Sequence, residues 1–160
     1  MGEDERVRAH EVDTARAPIP LIVDVDTGID DALALLYLLA SPEAEIAAVL
    51  CTAGNVPVHQ VAANTLAWLE VCGRPDIEVA VGSAVPLVAP LMTTEDTHGP
   101  RGVGYAELPA PTRGPSARSA AEAWVELTRE RPGELTGLVT GPLTNLALAV
   151  RLDPGVLTRL

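Results

Sequence analysis

Along this chain, short apolar runs alternate with stretches in which apolar residues recur every three or four positions. Leu21 to Val25 is a β-branched run bounded by Pro20 and Gly28, the pattern of a buried strand. From Asp30 the spacing becomes Ala32, Leu35, Leu36 and Leu39, one face of a helix reaching about Ala40. A second strand is predicted over Glu45 to Thr52. The helix after it carries Val58, Val61, Ala62, Thr65, Leu66 and Leu69 on its inward face and stops before Gly73. A third strand, Ile77 to Val81, leads into a Pro- and Gly-rich stretch from Gly82 to Pro115 that has no period. A loop that long in a compact domain is more often functional than accidental. The rest predicts a helix over Ser119 to Arg131, a strand over Leu135 to Thr140 and a helix over Leu143 to Arg151. Asp153-Pro154-Gly155 is a break, and Val156 to Leu160 reads as one further turn. Residues 1–17 are charged and aperiodic and are predicted to be a disordered tail, leaving 18–160 as the folded part.

Strand–helix alternation of this kind predicts an α/β fold with a mostly parallel sheet and flanking helices. In such sheets, ligands bind beyond the carboxyl ends of the strands. That rule groups Asp24 and Asp26 with Asp30 and Asp31, then Thr52-Ala53-Gly54-Asn55, then Thr140-Gly141-Pro142. One site built from all three strand ends is expected.

The first group is the densest chemistry in the chain. Asp24, Asp26, Asp30 and Asp31 fall within eight residues on a strand–turn–helix joint. Asp24 and Asp26 are predicted to share one face of the strand end, with Asp30 and Asp31 in the first helical turn. Two carboxylates about 5 Å apart repel by roughly 3 kcal/mol at an effective dielectric near 20. A helix N-terminus returns only about 0.3–1 kcal/mol per anion. Either some of these groups are protonated or a cation sits among them, and clustered carboxylates suit hard ions such as Ca²⁺ or Mg²⁺. The blander reading makes Asp30 and Asp31 ordinary helix-start residues.

Composition narrows the classes. The chain has 160 residues, enough for one domain, and 48% of them are hydrophobic. With two Trp, two Tyr and no Phe, the core must be built from Ala, Val and Leu. All eleven basic residues are arginine, and the net charge of −11 argues against nucleic-acid or anionic-membrane partners. Cys51 and Cys72 make neither a disulfide framework nor a zinc site, and are read as reduced. The absence of a signal-like or membrane-spanning apolar run leads to the expectation of a soluble, cytoplasmic protein.

The segment Asp24-Val25-Asp26-Thr27-Gly28-Ile29-Asp30-Asp31-Ala32 resembles the aspartate fingerprint of the inosine-uridine nucleoside hydrolases. Thr52-Ala53-Gly54-Asn55 is similar to that family's second strand end. Thr97-His98-Gly99, with Gly102 and Gly104, resembles its His-Gly loop, and Leu138 to Leu146 resembles its Thr-Gly-Pro-Leu-Thr-Asn segment. The likeness covers about Pro20 to Leu160, in the family's order and spacing. Thr27 departs from it, standing where proline is usual in a turn that should tolerate the change.

This resemblance implies a Rossmann-like nucleoside hydrolase fold, incomplete at its C-terminus, and cleavage of the N-glycosidic bond of ribonucleosides. It implies Ca²⁺ held by the carboxylates of Asp26 and Asp31 and by the backbone carbonyl of Thr140. It makes Asp26 the base that takes a proton from the attacking water, and Asp30 the holder of a ribose hydroxyl, with Asn55 nearby. It puts His98 near the ribose or base and gives Asp24 a supporting role behind the metal ligands. Family members are about twice as long, their second half adding another metal-ligand aspartate, ribose contacts and often a leaving-group histidine. The resemblance therefore makes this chain the N-terminal half of such an enzyme, whose complete form is expected to be a dimer or tetramer.

Two other readings stay open at this level. A haloacid dehalogenase-like Mg²⁺ phosphatase also places Asp-x-Asp after a strand. It normally uses a lysine, which this chain lacks, and does not explain Asp30-Asp31. The non-enzyme reading is a truncated, non-catalytic relic or binding subunit that holds a cation or ribose weakly. An EF-hand loop fails, because counting from Asp24 puts Leu35 where the bidentate Glu belongs.

Overall fold

The computed structural model describes residues 17–160. Apart from Ala17, the expected tail lies outside the described residues. Four strands form one sheet: β1 (Ile19–Val25), β2 (Ala44–Cys51), β3 (Glu78–Val81) and β4 (Thr136–Val139). Their order is β3-β2-β1-β4 and every pairing is parallel. The helices are α1 (Ile29–Ala40), α2 (Val58–Val71), a single turn α3 (Glu95–His98), α4 (Ala120–Glu130) and α5 (Thr144–Leu152), followed by a 3₁₀ turn at Val156–Arg159.

Central position explains the composition of β1. Flanked by β2 and β4 and covered on both faces, it is buried from Leu21 onward, so its apolar run is continuous rather than alternating. Alternate side chains feed two separate cores. Leu21, Val23 and Val25 join Leu35, Val49, Cys51, Val61 and Leu66 beneath α1 and α2. Ile22, with Leu50 and Ala80, meets Trp124, Leu127 and Ala149 beneath α4 and α5. A register shift between Leu21 and Ile22, opposite Ile46 and Ala48, lets both faces stay apolar along β2.

The α4 layer is tied down by polar contacts at its start. Ser119 and Glu122 form a reciprocal capping box, and Arg118 pairs with both Glu78 and Glu126. Both cysteines are free, Cys51 inside β2 and Cys72 at the end of α2. Burial pushes the Cys51 thiol up to about 12. No described helix is long and apolar enough to cross a membrane.

The aperiodic stretch 82–115 contains α3, one helical turn that no apolar spacing signalled. Its loop is shaped by Gly99, Gly102 and Gly104, all at positive φ, where a side chain would be strained. This arrangement brings His98 to the carboxyl end of the sheet.

Candidate active site

The three strand ends grouped by sequence do meet. The Thr52 N–H donates to the Val25 carbonyl at 2.9 Å, and the Thr140 N–H donates to the Asp24 carbonyl at 3.0 Å. A Cβ on Gly141 would sit 2.8 Å from the Asp26 nitrogen and 3.0 Å from Thr52 Cγ2. Only glycine lets the β4 end approach this closely.

Asp26 lies one residue past β1, where strand alternation no longer governs it. Its Oδ2 accepts the Asn55 N–H at 2.9 Å, while its own N–H donates to Asp31 Oδ2 at 2.9 Å. A Cβ on Gly54 would fall 2.0 Å from Asp26 Oδ2, so the second strand end is glycine because the carboxylate occupies that space. Asp31 is buried in the first turn of α1. Burial raises its pKa; a hydrogen bond from the Thr140 side chain opposes the rise and the nearby Asp26 charge adds to it. Asp30, one position earlier on the helix, is 77% exposed.

Asp24 has a different environment from the one its predicted shared face with Asp26 suggested. It is fully buried, turned into the α4 layer, and accepts from Trp124 Nε1 at 2.8 Å and Asn145 Nδ2 at 2.9 Å. Burial raises its pKa to about 7 against those two hydrogen bonds, with Asp26 and Asp31 adding to the rise. The Asn145 amide also donates to the Cys51 carbonyl at 3.1 Å and accepts the Ser83 N–H at 2.8 Å, so it joins the ends of β1, β2 and β3. A Cβ on Gly82 would lie 2.0 Å from Asn145 Oδ1.

His98 is brought to the joint by α3. The Ile29 N–H donates to its Nδ1 at 3.1 Å, which leaves Nδ1 without a proton and puts the ring hydrogen on Nε2. Asp30 Oδ1 lies 3.8 Å from that Nδ1. Asn55 bridges the two regions: its Nδ2 donates to the Asp26 carbonyl at 3.4 Å and its Oδ1 accepts from Thr94 Oγ1 at 2.8 Å. A Cβ on Gly28 would lie 2.6 Å from Asn55 Nδ2 and 2.7 Å from His98 Nδ1.

Three residues have contacts that the sequence reading did not assign. Thr27 is buried and bonds the hydroxyl of Thr65 at 2.7 Å. Because Thr65 donates to the Val61 carbonyl at 2.9 Å, Thr27 is the donor. The residue standing where proline is usual thus gives the turn a side-chain anchor to α2. Trp124 and Asn145 reach Asp24 across 100 and 121 positions, which periodicity does not report. A buried Trp in an aromatic-poor chain and an Asn opening a helix were the available hints.

The donor set suits a hard cation. Asp26 and Asp31 are oxygen donors side by side, the Thr140 backbone follows β4 at the same end, and Thr52 Oγ1 there is buried without a hydrogen-bond partner. Among the described residues, no group of three or more His, Cys, Asp or Glu side chains is arranged to hold a metal. The residues fit Ca²⁺ in kind and supply part of its usual six to eight oxygens.

The family model described as inosine-uridine preferring nucleoside hydrolase matches residues 21–160. The chain belongs to that family. Among curated proteins it is 45% identical to uridine nucleosidase 1 of Arabidopsis thaliana over 134 residues, 83% of this chain and 40% of that one. It is 38% identical to a pyrimidine-specific ribonucleoside hydrolase of Salmonella typhi over 142 residues, 89% of this chain and 46% of that one. Among solved structures it resembles a purine-preferring ribonucleoside hydrolase from Gardnerella vaginalis with TM-score 0.84 and 32% identity, covering 88% of this chain and 46% of that one. A plant nucleoside hydrolase gives TM-score 0.82 and 37% identity, covering 89% and 45%. The chain spans about half the length of these relatives. Membership sets aside the phosphatase reading and accounts for Asp30-Asp31, which that reading left unexplained.

Proposed function

We propose that this chain supplies the metal and ribose end of a ribonucleoside hydrolase site, which cleaves the N-glycosidic bond to free base and ribose. The observation that carries the reading is the Asp26–Asp31 pair at the end of β1, with exposed Asp30 and His98 beside it, in a member of this family. The relatives' names span uridine, pyrimidine and purine preference, so the class is ribonucleoside and no base is assigned.

Asp26, Asp31 and the Thr140 carbonyl would hold Ca²⁺. The bound ion supplies positive charge that makes a neighbouring water a better proton donor. Asp26 accepts that proton as the water oxygen bonds to the anomeric carbon and the carbon–nitrogen bond breaks. The Asn55 N–H on Asp26 Oδ2 keeps the acceptor oriented. Positive charge developing on the sugar is favoured by the surrounding carboxylates, as in glycoside hydrolysis. Asp30 accepts from a ribose hydroxyl, and His98 offers its Nε2 hydrogen to the ribose or base. The departing base gains a proton from a group outside these residues. The complete enzyme is expected to act in the cytoplasm as a dimer or tetramer.

The test uses the protein carrying the whole family domain, with inosine, uridine and their 2′-deoxy analogues at saturating Ca²⁺. Asp26→Asn keeps the shape but loses the proton acceptor, so turnover should fall by about 10²–10⁴. Asp30→Asn should instead narrow the gap between ribo- and deoxyribonucleosides. Near-wild-type turnover by Asp26→Asn would refute the base assignment, and hydrolysis of phosphate esters in place of nucleosides would refute the activity.

A further inference from the structure

Asn64 lies on α2, outside every motif that marked the site, and is 3% exposed. Its amide is fully engaged. Oδ1 accepts from Gln60 Nε2 at 2.8 Å, and the sense of the amide is fixed by the two backbone carbonyls on its other end, which can only accept. Nδ2 then donates to the Arg101 carbonyl at 2.7 Å and, more weakly, to the Thr27 carbonyl at 3.5 Å. One side chain therefore grips the aspartate turn and the His98 loop together.

The loop is laid tightly on α2 and the segment leading into it at this point. A Cβ on Gly102 would lie 3.0 Å from Val56 Cγ1 and 3.3 Å from Asn64 Nδ2. Beyond it the loop closes on itself, the Gly104 N–H donating to the His98 carbonyl at 2.7 Å. The far side of the histidine is the Ile29 N–H on Nδ1. The connection runs from Asn64 through Arg101 and the closed loop to His98, and returns to the turn at Ile29.

We propose that Asn64 is a positioning residue that sets where His98 sits against the aspartate turn, with Gln60 bracing its amide through Oδ1. Its purpose rests on the proposed nucleoside site; its geometry does not. Thr65 provides the matched comparison. It is the next residue on the same helix, equally buried, and bonds the same turn through Thr27, yet it makes no hydrogen bond to the loop.

The experiment is NMR on the ¹⁵N-labelled protein carrying the whole family domain, without Ca²⁺, reading Ile29 amide exchange and the ring nitrogens of His98. Asn64→Asp keeps the side-chain volume and removes both donors. Losing amide–carbonyl bonds worth about one hydrogen bond should speed Ile29 exchange about tenfold and shift the Nδ1 signal of His98. Gln60→Ala should move both in the same direction by less. Thr65→Val should leave both within about twofold once referenced to global stability, although it also loses a buried hydrogen bond. If Asn64→Asp does not fold, Gln60→Ala against Thr65→Val decides. An unchanged Ile29 and His98 in the Asn64 and Gln60 variants, or an equal change in Thr65→Val, would overturn the proposal. These signals need neither Ca²⁺ nor turnover, so failure of the hydrolase reading would appear only in its own assay.

Discussion

Replacing Asp24 by Asn should reverse the sign of its effect on stability between acidic and alkaline pH. In the metal-free chain the Asp24 carboxyl is raised from 3.8 to about 7, chiefly by burial. A carboxyl with a raised folded-state pKa binds more protons folded than unfolded between those values. Its contribution to stability is therefore greatest below about pH 4 and declines as pH rises towards 7. The full decline corresponds to about 4 kcal/mol for a rise of that size. Asn carries no charge and removes this decline. It also sets an NH₂ against one of two donors, Trp124 Nε1 or Asn145 Nδ2, where Asp24 presents an acceptor to each. One buried hydrogen bond is lost and a donor is stranded, at a cost of about 1–3 kcal/mol.

The two effects have different pH dependences. Near pH 4 the native carboxyl is protonated and little of the decline has accrued, so the variant should be less stable by about 1–3 kcal/mol. At pH 8 removal of the buried charge should offset that loss, leaving the variant equal to wild type or more stable. Urea unfolding followed by Trp fluorescence, in EDTA from pH 4 to 8, gives the difference; groups remote from Asp24 cancel between the two proteins, while Asp26 and Asp31, which feel its charge, titrate with it. For a chain of this size each kcal/mol should also appear as about 2–4 °C in Tm. A stability difference that does not change with pH would refute the assignment of a buried, ionisable Asp24.

Further outcomes are expected. Calorimetry should show Ca²⁺ binding that Asp31→Ala weakens at least about tenfold, since a charged oxygen ligand is lost. Binding should also weaken as pH falls, because burial raises the Asp31 pKa and the ion needs the deprotonated form; unchanged affinity in either test would move the ion elsewhere. Gly54→Ala puts a methyl where Asp26 Oδ2 lies and should abolish Ca²⁺ binding in a chain whose far-UV circular dichroism is preserved. Leu143, Leu152 and Leu157 are exposed, and β4 is an outer strand, so the 160-residue chain should self-associate in light scattering and bind a hydrophobic dye. A monomer that binds no dye would count against that surface being adhesive.

The elements were legible because each obeys a local rule. β1 and β2 read as apolar runs since both faces of their strands are covered, and α2 and α4 show helical spacing since one face of each packs on the sheet. The site was legible in outline because parallel strands end together, and that alone brings Asp26, Asn55 and Thr140 to one edge. Periodicity carries no information about who answers a buried polar group across the chain. Read from sequence alone, the four carboxylates are one repulsive cluster that needs either protonation or a cation. The fold divides them. Asp24 is answered by an indole and an amide, and Asp30 by solvent, so the repulsion left to a cation is that of Asp26 and Asp31. The same division explains why Trp124 and Asn145 were missed: each matters through a partner more than 90 residues away. A buried aspartate without a local donor is thus a sequence-level demand for a distant Trp or Asn, and here the sheet order β3-β2-β1-β4, with α4 and α5 on one face, meets it.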